Sequence, residues 1–399
     1  MVPLYSAWVV AILIVATFPL IYYVLACLAA FRFSRSAIQR TPPVAEQPPV
    51  SILKPLHGVD FASYENYSSF CRQDYSAYEI LFAVNDQSDP AVPLVQRLIA
   101  EHPDRQIRLF VGAEYFGANG KVNSLARLVR EAQHEILALS DGDVRVSPQY
   151  LREVAAPLQD SNVGAVTSFY RGIAQKNLGA ELEAIGASSG FFPGVLMAVW
   201  TEGVKFALGA SIASTKTWLR RIGGFEDIAA FLADDYEIGR RVARAGGRVV
   251  LSQETVWTMY PAQTVKSFWQ HQLRWARTVR LCRPASYAAL LFTQGLPWAI
   301  AAAVVAPSWI AAAYLLAYLV LRLRMAWIVG VKVVGDQVLR RRMWLVPFWD
   351  ALHFIVWIAS FASNRIVWGN VEYVVNAGRM KPVMPAQPSR AGATPQIDP

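Results

Sequence analysis

From Leu4 to Phe31 the chain carries no charged side chain, and nothing else in the sequence constrains its fold as tightly. Coiled as a helix at about 1.5 Å per residue, that run outreaches the roughly 30 Å hydrocarbon core of a bilayer, so it reads as a transmembrane span with room for tilt. A cleaved leader would place basic residues before its apolar stretch. Here Arg32, Arg35 and Arg40 follow it, which predicts an uncleaved anchor with its N-terminus outside and the rest of the chain on the positive, cytosolic side. Apolar runs return at Tyr287–Ala306, Ser308–Leu321 and Leu345–Phe361, with Met325–Val334 open between a span and a surface helix. Hydrophobic residues make up 54% of the chain and charged ones 17%, too apolar a balance for an ordinary soluble enzyme. The net charge of +9 would suit nucleic acid, but the arginines gather beside apolar runs, as at Arg340, Arg341 and Arg342. That placement favours anionic headgroups, so nucleic acid is not an expected partner. Three cysteines (Cys27, Cys71, Cys282) without metal-like spacing are expected as free thiols.

The middle of the chain has a different grammar. Strand-like runs at Val50–Leu56, Glu79–Val84, Gln106–Val111, His134–Leu139 and Val163–Ser168 alternate with helical stretches. The fold class this predicts is α/β, a mostly parallel sheet covered by helices. Carboxylates stand at the ends of two of those runs: Asp86 after Val84-Asn85, and Asp141 and Asp143 in Ser140-Asp141-Gly142-Asp143. Strand ends are where open α/β sheets bind ligands. An Asp-x-Asp there suits a hard cation that carries a nucleotide diphosphate, because Mg²⁺ takes one or two carboxylates plus phosphate oxygens. Taken alone, Asp141-Gly142-Asp143 would equally be a tight turn. Further on comes the doublet Asp234-Asp235, expected at the start of a helix running to Ala245, where a carboxylate is either a cap or a general base. A second helix, Thr264 to Arg280, places His271, Arg274 and Arg277 on one face and supplies Phe268, Trp269 and Trp275 for a membrane surface. Lys121 follows a glycine-rich turn and is open between a phosphate contact and an ordinary helix-start lysine. Asn177–Gly209 is open between a segment that lies against the membrane or forms an acceptor groove and a plain buried helix. Metal, leaving group and base together describe transfer from a nucleotide-activated donor, with a sugar as cargo.

These motifs, in this order, resemble the inverting glycosyltransferases of the GT-A type. More narrowly, they resemble the ceramide glucosyltransferase family (glycosyltransferase family 21) with its bacterial lipid-modifying relatives. Ile52-Leu53-Lys54-Pro55-Leu56-His57-Gly58-Val59-Asp60 is similar to that family's first strand, Asp141-Gly142-Asp143-Val144-Arg145-Val146 to its second aspartate motif, and Ala233-Asp234-Asp235-Tyr236 to its third. The resemblance covers roughly Val50 to Arg280 and the flanking membrane segments. From the residues alone, Asp89 is either a substitute for Asp86 or a cap of the helix beginning near Pro90, and Lys121 is the candidate for a donor phosphate. The resemblance implies Asp86 at the nucleotide base or ribose and Asp141 on the donor. It implies Mg²⁺ or Mn²⁺ shared between Asp143 and Asp141, since the family's second aspartate matches Asp141. It makes Asp235 the base. His271-x-x-Arg274-Trp275 matches the (Gln or Arg)-x-x-Arg-Trp signature except at histidine, and places Arg274 on the departing diphosphate and Trp275 at the acceptor.

The expectation is therefore a multi-pass membrane enzyme of a bacterial inner membrane that moves one sugar, glucose or N-acetylglucosamine, from a UDP-sugar to a hydroxyl of a membrane lipid, a ceramide or hopanoid polyol. Residues 1–33 form the anchor, 34–49 a Pro-rich linker, 50–283 the cytosolic catalytic domain, 284–380 membrane or interfacial helices and 381–399 a disordered tail. A processive polysaccharide synthase shares these motifs but needs a polymer channel. A non-catalytic nucleotide- or lipid-binding scaffold would have no use for so many clustered acids.

Overall fold

The computed structural model describes residues 7–38, 47–112, 114–368 and 371–383. Its centre is an eight-stranded sheet. The strands are β1 (Val50–Pro55), β2 (Tyr78–Val84), β3 (Gln106–Val111), β4 (Ile136–Ser140), β5 (Val144–Arg145), β6 (Val163–Ala174), β7 (Ser211–Thr215) and β8 (Arg248–Tyr260). They lie in the order β3-β2-β1-β4-β7-β6-β8-β5. The run β3-β2-β1-β4 is parallel throughout, as the alternation of strands and helices predicts. β7 lies antiparallel between β4 and β6, β6 and β8 form a long parallel pair, and β5 closes the edge antiparallel to β8. The chain leaves β1 toward β2 on one side and returns to it through β4 on the other. That reversal opens a crevice at the carboxyl ends of the strands.

Every residue of β1, β2 and β4 is buried, which is why these strands read as continuous apolar runs rather than alternating ones. Ile52, Ile80 and Phe82 face one core, and Leu53, Leu81 and Ala83 the other. The second core is closed by helix Gly120–Glu131, whose Val122, Leu125 and Leu128 recur at three-residue spacing, and by Trp218 and Ile238. The first core continues without a break into the apolar helices. It takes in Tyr23, Ala26 and Ala30 of helix Ala7–Ile38, together with Ala299, Tyr318 and Met325. The opposite face of helix Ala7–Ile38 leaves Ile14, Phe18, Ile21, Leu28 and Phe31 exposed, a stripe suited to lipid rather than water.

Among the described residues four helices are long and apolar enough to cross a membrane: Ala7–Arg35, Leu178–Glu202, Ser308–Val333 and Met343–Ser360. The expected span Tyr287–Ala306 is broken. Pro284–Thr293 and Gly295–Val305 meet at a bend of 48°, where the Gly295 amide donates to the Tyr23 hydroxyl at 2.9 Å. Met325–Val334 is no separate element, because the helix from Ser308 runs on through a π turn, Trp327–Val333. Leu178–Glu202 is mostly buried inside the protein. Of the two readings open for that stretch, the buried helix is the one found. It too contains a π turn, Gly186–Phe191, and a Cβ on Gly186 would overlap the Trp349 ring that packs there.

One expectation is corrected outright. The end of the segment expected as membrane helix, and Lys381 at the start of the expected disordered tail, form a three-stranded antiparallel sheet. Its strands are β9 (Arg365–Trp368), β10 (Val371–Asn376) and β11 (Arg379–Pro382). Their side chains mix charged and apolar residues, so no helical stripe exists to bury. The sheet is fastened to the loop before Asp234: the Leu232 amide donates to the Gly378 carbonyl at 2.9 Å, and the Met380 amide to the Ala230 carbonyl at 2.7 Å. Residues 39–46 of the expected linker and 384–399 of the expected tail lie outside the described residues.

Candidate active site

The Asp141-Gly142-Asp143 turn follows β4 directly, and its neighbour β1 supplies the residue that holds it. Lys54 is fully buried in β1, stacks over the Phe70 ring at 3.9 Å, and donates through Nζ to the Asp141 carbonyl at 2.7 Å. Burial pushes its ammonium down to about 7, against the pull of Asp143 and Asp141. On the far side the Met259 amide of β8 donates to the Asp143 carbonyl at 3.1 Å. Burial, and then the charges of Asp141 and Asp60, push the Asp143 carboxyl up to about 7.

Lys121 closes the cluster from the first turn of helix Gly120–Glu131. Asn119 caps its helix by accepting from the Val122 amide at 3.2 Å, and also donates to the Phe231 carbonyl at 3.0 Å. Lys121 Nζ reaches Asp141 at 2.5 Å and Asp234 at 3.5 Å. Burial opposes its charge, yet the two aspartates outweigh that and hold the ammonium above its ordinary range. Asp235 opens helix Asp234–Arg244. Burial, and then the charge of Asp234, push its carboxyl up to about 7, with Lys121 opposing. The helix can approach this closely because Gly239 faces the backbone of Phe206 and Ala207, where any Cβ would overlap.

Tyr170 connects these carboxylates to an aromatic wall. Burial, and then Asp235, Asp143 and Asp141, raise its hydroxyl above the ordinary range. Its ring meets Phe192 at 4.9 Å and Trp275 at 6.5 Å, and Trp275 also meets Phe191 at 6.4 Å. The structure thus brings together Asp141, Asp143, Lys121 and Asp235, with Trp275 one ring away. Asp86 sits at the exposed rim after β2, where donation from the Ser88 amide and hydroxyl holds its carboxyl below the usual range. Its alternative, Asp89, is occupied as a cap by the amides of Gly58 at 2.9 Å and Ala91 at 2.8 Å.

Two motif residues point elsewhere. His271 pairs with the buried carboxylate of Glu183, which also accepts from Gln272 at 3.3 Å. Arg274 stacks 6.0 Å from the Trp368 ring of β9, and burial holds its guanidinium below its ordinary value, with the charge of Glu183 opposing. Sequence reasoning missed Lys54 and Tyr170 as members of this site, and Glu183 as the partner that draws His271 away from it. Only Lys54 left a signal, as the one charge in an otherwise apolar strand.

The model of glycosyl transferase family 21 matches residues 10–381. Ceramide glucosyltransferase 3 of Caenorhabditis elegans is 28% identical over 233 residues, which is 58% of this chain and 50% of that protein. Ceramide glucosyltransferase 1 of the same animal is 26% identical over 231 residues, 58% of this chain and 49% of that one. The chain spans about half the length of these curated relatives. A mannosyltransferase from Pyrobaculum calidifontis, solved with GDP-Man and Mn²⁺, shares the fold with a TM-score of 0.50 at 17% identity, covering 87% of this chain and 99% of that one. The architecture is the expected GT-A type, a mixed α/β domain with apolar helices toward both ends. Because the match runs from the first apolar helix to the last strand, the chain belongs to glycosyl transferase family 21.

Proposed function

We propose that the chain is an inverting glycosyltransferase that moves one sugar from a UDP-sugar to a hydroxyl of a membrane lipid. The observation that carries this reading is the Asp235 carboxyl. It is raised to about 7, beside the Lys121–Asp141 pair and one ring from the Trp275 wall. A base with a pKa near the working pH balances ionisation against proton affinity. In the proposed reaction the acceptor oxygen attacks the anomeric carbon opposite the diphosphate and Asp235 takes its proton. The anomeric carbon–oxygen bond to phosphate breaks, and the diphosphate leaves with the electron pair.

Asp141 and Asp143 fit a divalent cation. Burial, and then the charges of Asp141 and Asp60, disfavour the ionised Asp143 carboxyl, a cost that a cation would relieve. Among the described residues no group of three or more acid, histidine or cysteine side chains could hold a metal ion unaided, so phosphate oxygens must complete the shell, as Mg²⁺ and Mn²⁺ accept. Such an ion would neutralise the charge on the departing diphosphate. The mannosyltransferase of like fold was solved with Mn²⁺. Lys121, freed from Asp141, would then lie within reach of the same phosphates, and Asp86 would meet the ribose or base at the rim. Arg274 serves the diphosphate if its side chain turns away from Trp368.

The relatives' names point to ceramide and glucose; a hopanoid polyol is the acceptor of choice in a bacterial inner membrane without sphingolipids. The catalytic domain faces the cytosol, where Arg32 and Arg35 flank the anchor. Incubating membranes with a panel of radiolabelled UDP-sugars and analysing the lipid extract by mass spectrometry tests the whole reading. One sugar added to one lipid is expected. A polymer would indicate a processive synthase, and no transfer from any donor would overturn the proposal.

A further inference from the structure

Helix Val265–Cys282 carries an arginine at every third position, Arg274, Arg277 and Arg280, and one more just beyond it, Arg283. Arg283 is neutralised by Glu202 at 2.7 Å. Among the described residues the other three make no ion pair. Between this helix and β9 lies a cavity of about 50 Å³ lined by Gln270, Leu273, Arg274, Arg277, Ile366 and Val367. Arg277 Nη1 donates to the Arg365 carbonyl at 2.6 Å, and Arg280 Nη2 donates to the Ser363 carbonyl at 2.9 Å and to Asn364 Oδ1 at 2.6 Å. The Nε donors of both Arg277 and Arg280 are buried and have no partner among the described residues. The acids nearby are engaged: Glu183 by His271 and Gln272, and Glu372 by Arg365 at 3.4 Å. Burial and the neighbouring Arg280 charge both hold the Arg277 guanidinium below its ordinary value. Like charges held this way, with donors unsatisfied, call for an anion.

The place of the cluster says which anion. Arg280 stands 5.6 Å from the Phe361 ring, at the C-terminal end of the candidate span Met343–Ser360. Phe361 packs in turn on Tyr287 and Trp357, at 5.7 Å and 5.0 Å. Aromatic clusters at a span's end mark headgroup depth. We propose that Arg277 and Arg280 bind the phosphodiester headgroup of an anionic phospholipid, at a site separate from the donor and acceptor positions. This needs the membrane placement of the proposed function but not its chemistry.

The test is native mass spectrometry of the purified full chain in mild detergent, with phosphatidylglycerol or phosphatidylcholine added, with and without UDP. Wild type should retain phosphatidylglycerol selectively, and UDP should leave it in place. The double variant Arg277→Gln/Arg280→Gln should lower that retention about thirtyfold while still binding UDP, since each arginine near a lipid surface contributes roughly fivefold. Equal retention of both lipids by wild type, or undiminished phosphatidylglycerol on the double variant, overturns the site. Displacement of the lipid by UDP or inorganic pyrophosphate would assign the arginines to the donor's diphosphate instead, and also overturns it. If the double variant loses UDP binding, and so its fold, the single Arg277→Gln decides. It leaves Arg280 on Ser363, and reduced retention supports the proposal while unchanged retention sinks it.

Discussion

Asp235 is a helix-start residue and, under the proposed function, the base; the two roles are compatible because a helix terminus holds a carboxylate still. Asp235→Asn keeps that geometry and removes only the base. Turnover should fall by about two to four orders of magnitude while UDP-sugar affinity stays within a few-fold, measured by kinetics and by isothermal titration. Turnover close to wild type would remove Asp235 from the mechanism. Asp143 makes a second prediction. Its carboxyl is raised to about 7 in the folded chain, so the native state holds a proton that the unfolded chain releases near 4. Stability from this group is therefore greatest at low pH and falls as pH rises from about 4 through about 7. In EDTA, wild type should lose melting temperature relative to Asp143→Asn between pH 5 and pH 8, and Mn²⁺ should restore it. A gap that does not change with pH or metal would refute the electrostatic account of this site.

At the scale of elements, helix Val265–Cys282 and the C-terminal sheet do what no single residue does. The helix presents Trp275 to Tyr170 on one side and its arginines to β9 on the other, so it joins the cleft to the C-terminal sheet. Trp275→Ala should therefore impair transfer to lipid at least tenfold more than slow hydrolysis of UDP-sugar by water, given the apolar area that an exposed indole offers to an acceptor. Equal loss of both activities would mean that Trp275 supports the donor or the fold. A second element-level tie lies between the apolar helices, where Arg322 meets Asp350 at 2.7 Å and Tyr318 donates to the same carboxylate at 2.8 Å. Asp350→Asn would leave Arg322 buried and uncompensated. A loss of about 3–5 kcal/mol is expected, visible as a lowered aggregation temperature in detergent, and a loss under about 1 kcal/mol would mean that the pair is not shielded as its burial implies.

For the whole molecule, one core runs from the sheet into helix Ala7–Ile38 and so ties the candidate crevice to the first apolar helix. With the arginines after the anchor inside, a cysteine placed at Pro48 should resist impermeant thiol reagents in intact cells and react once the cells are opened. Ready labelling from outside would invert the topology. What the sequence determined by itself follows from local pattern. The apolar runs, the fully buried parallel strands and the acids at their ends are each visible within a few residues, because burial on both faces forces an unbroken apolar run. The tertiary structure alone decided the rest. β7 and β8 gain their identity only from partners far along the chain, and the C-terminal sheet is made of mixed residues that pair with the loop Ala229–Ala233. Lys121 became an ion-pair partner of Asp141 and Asp234, and His271 of Glu183, through contacts between residues distant in sequence. Spacing along a chain reports only which side chains share one helix or strand face; which charges meet across a cleft depends on how separate elements pack.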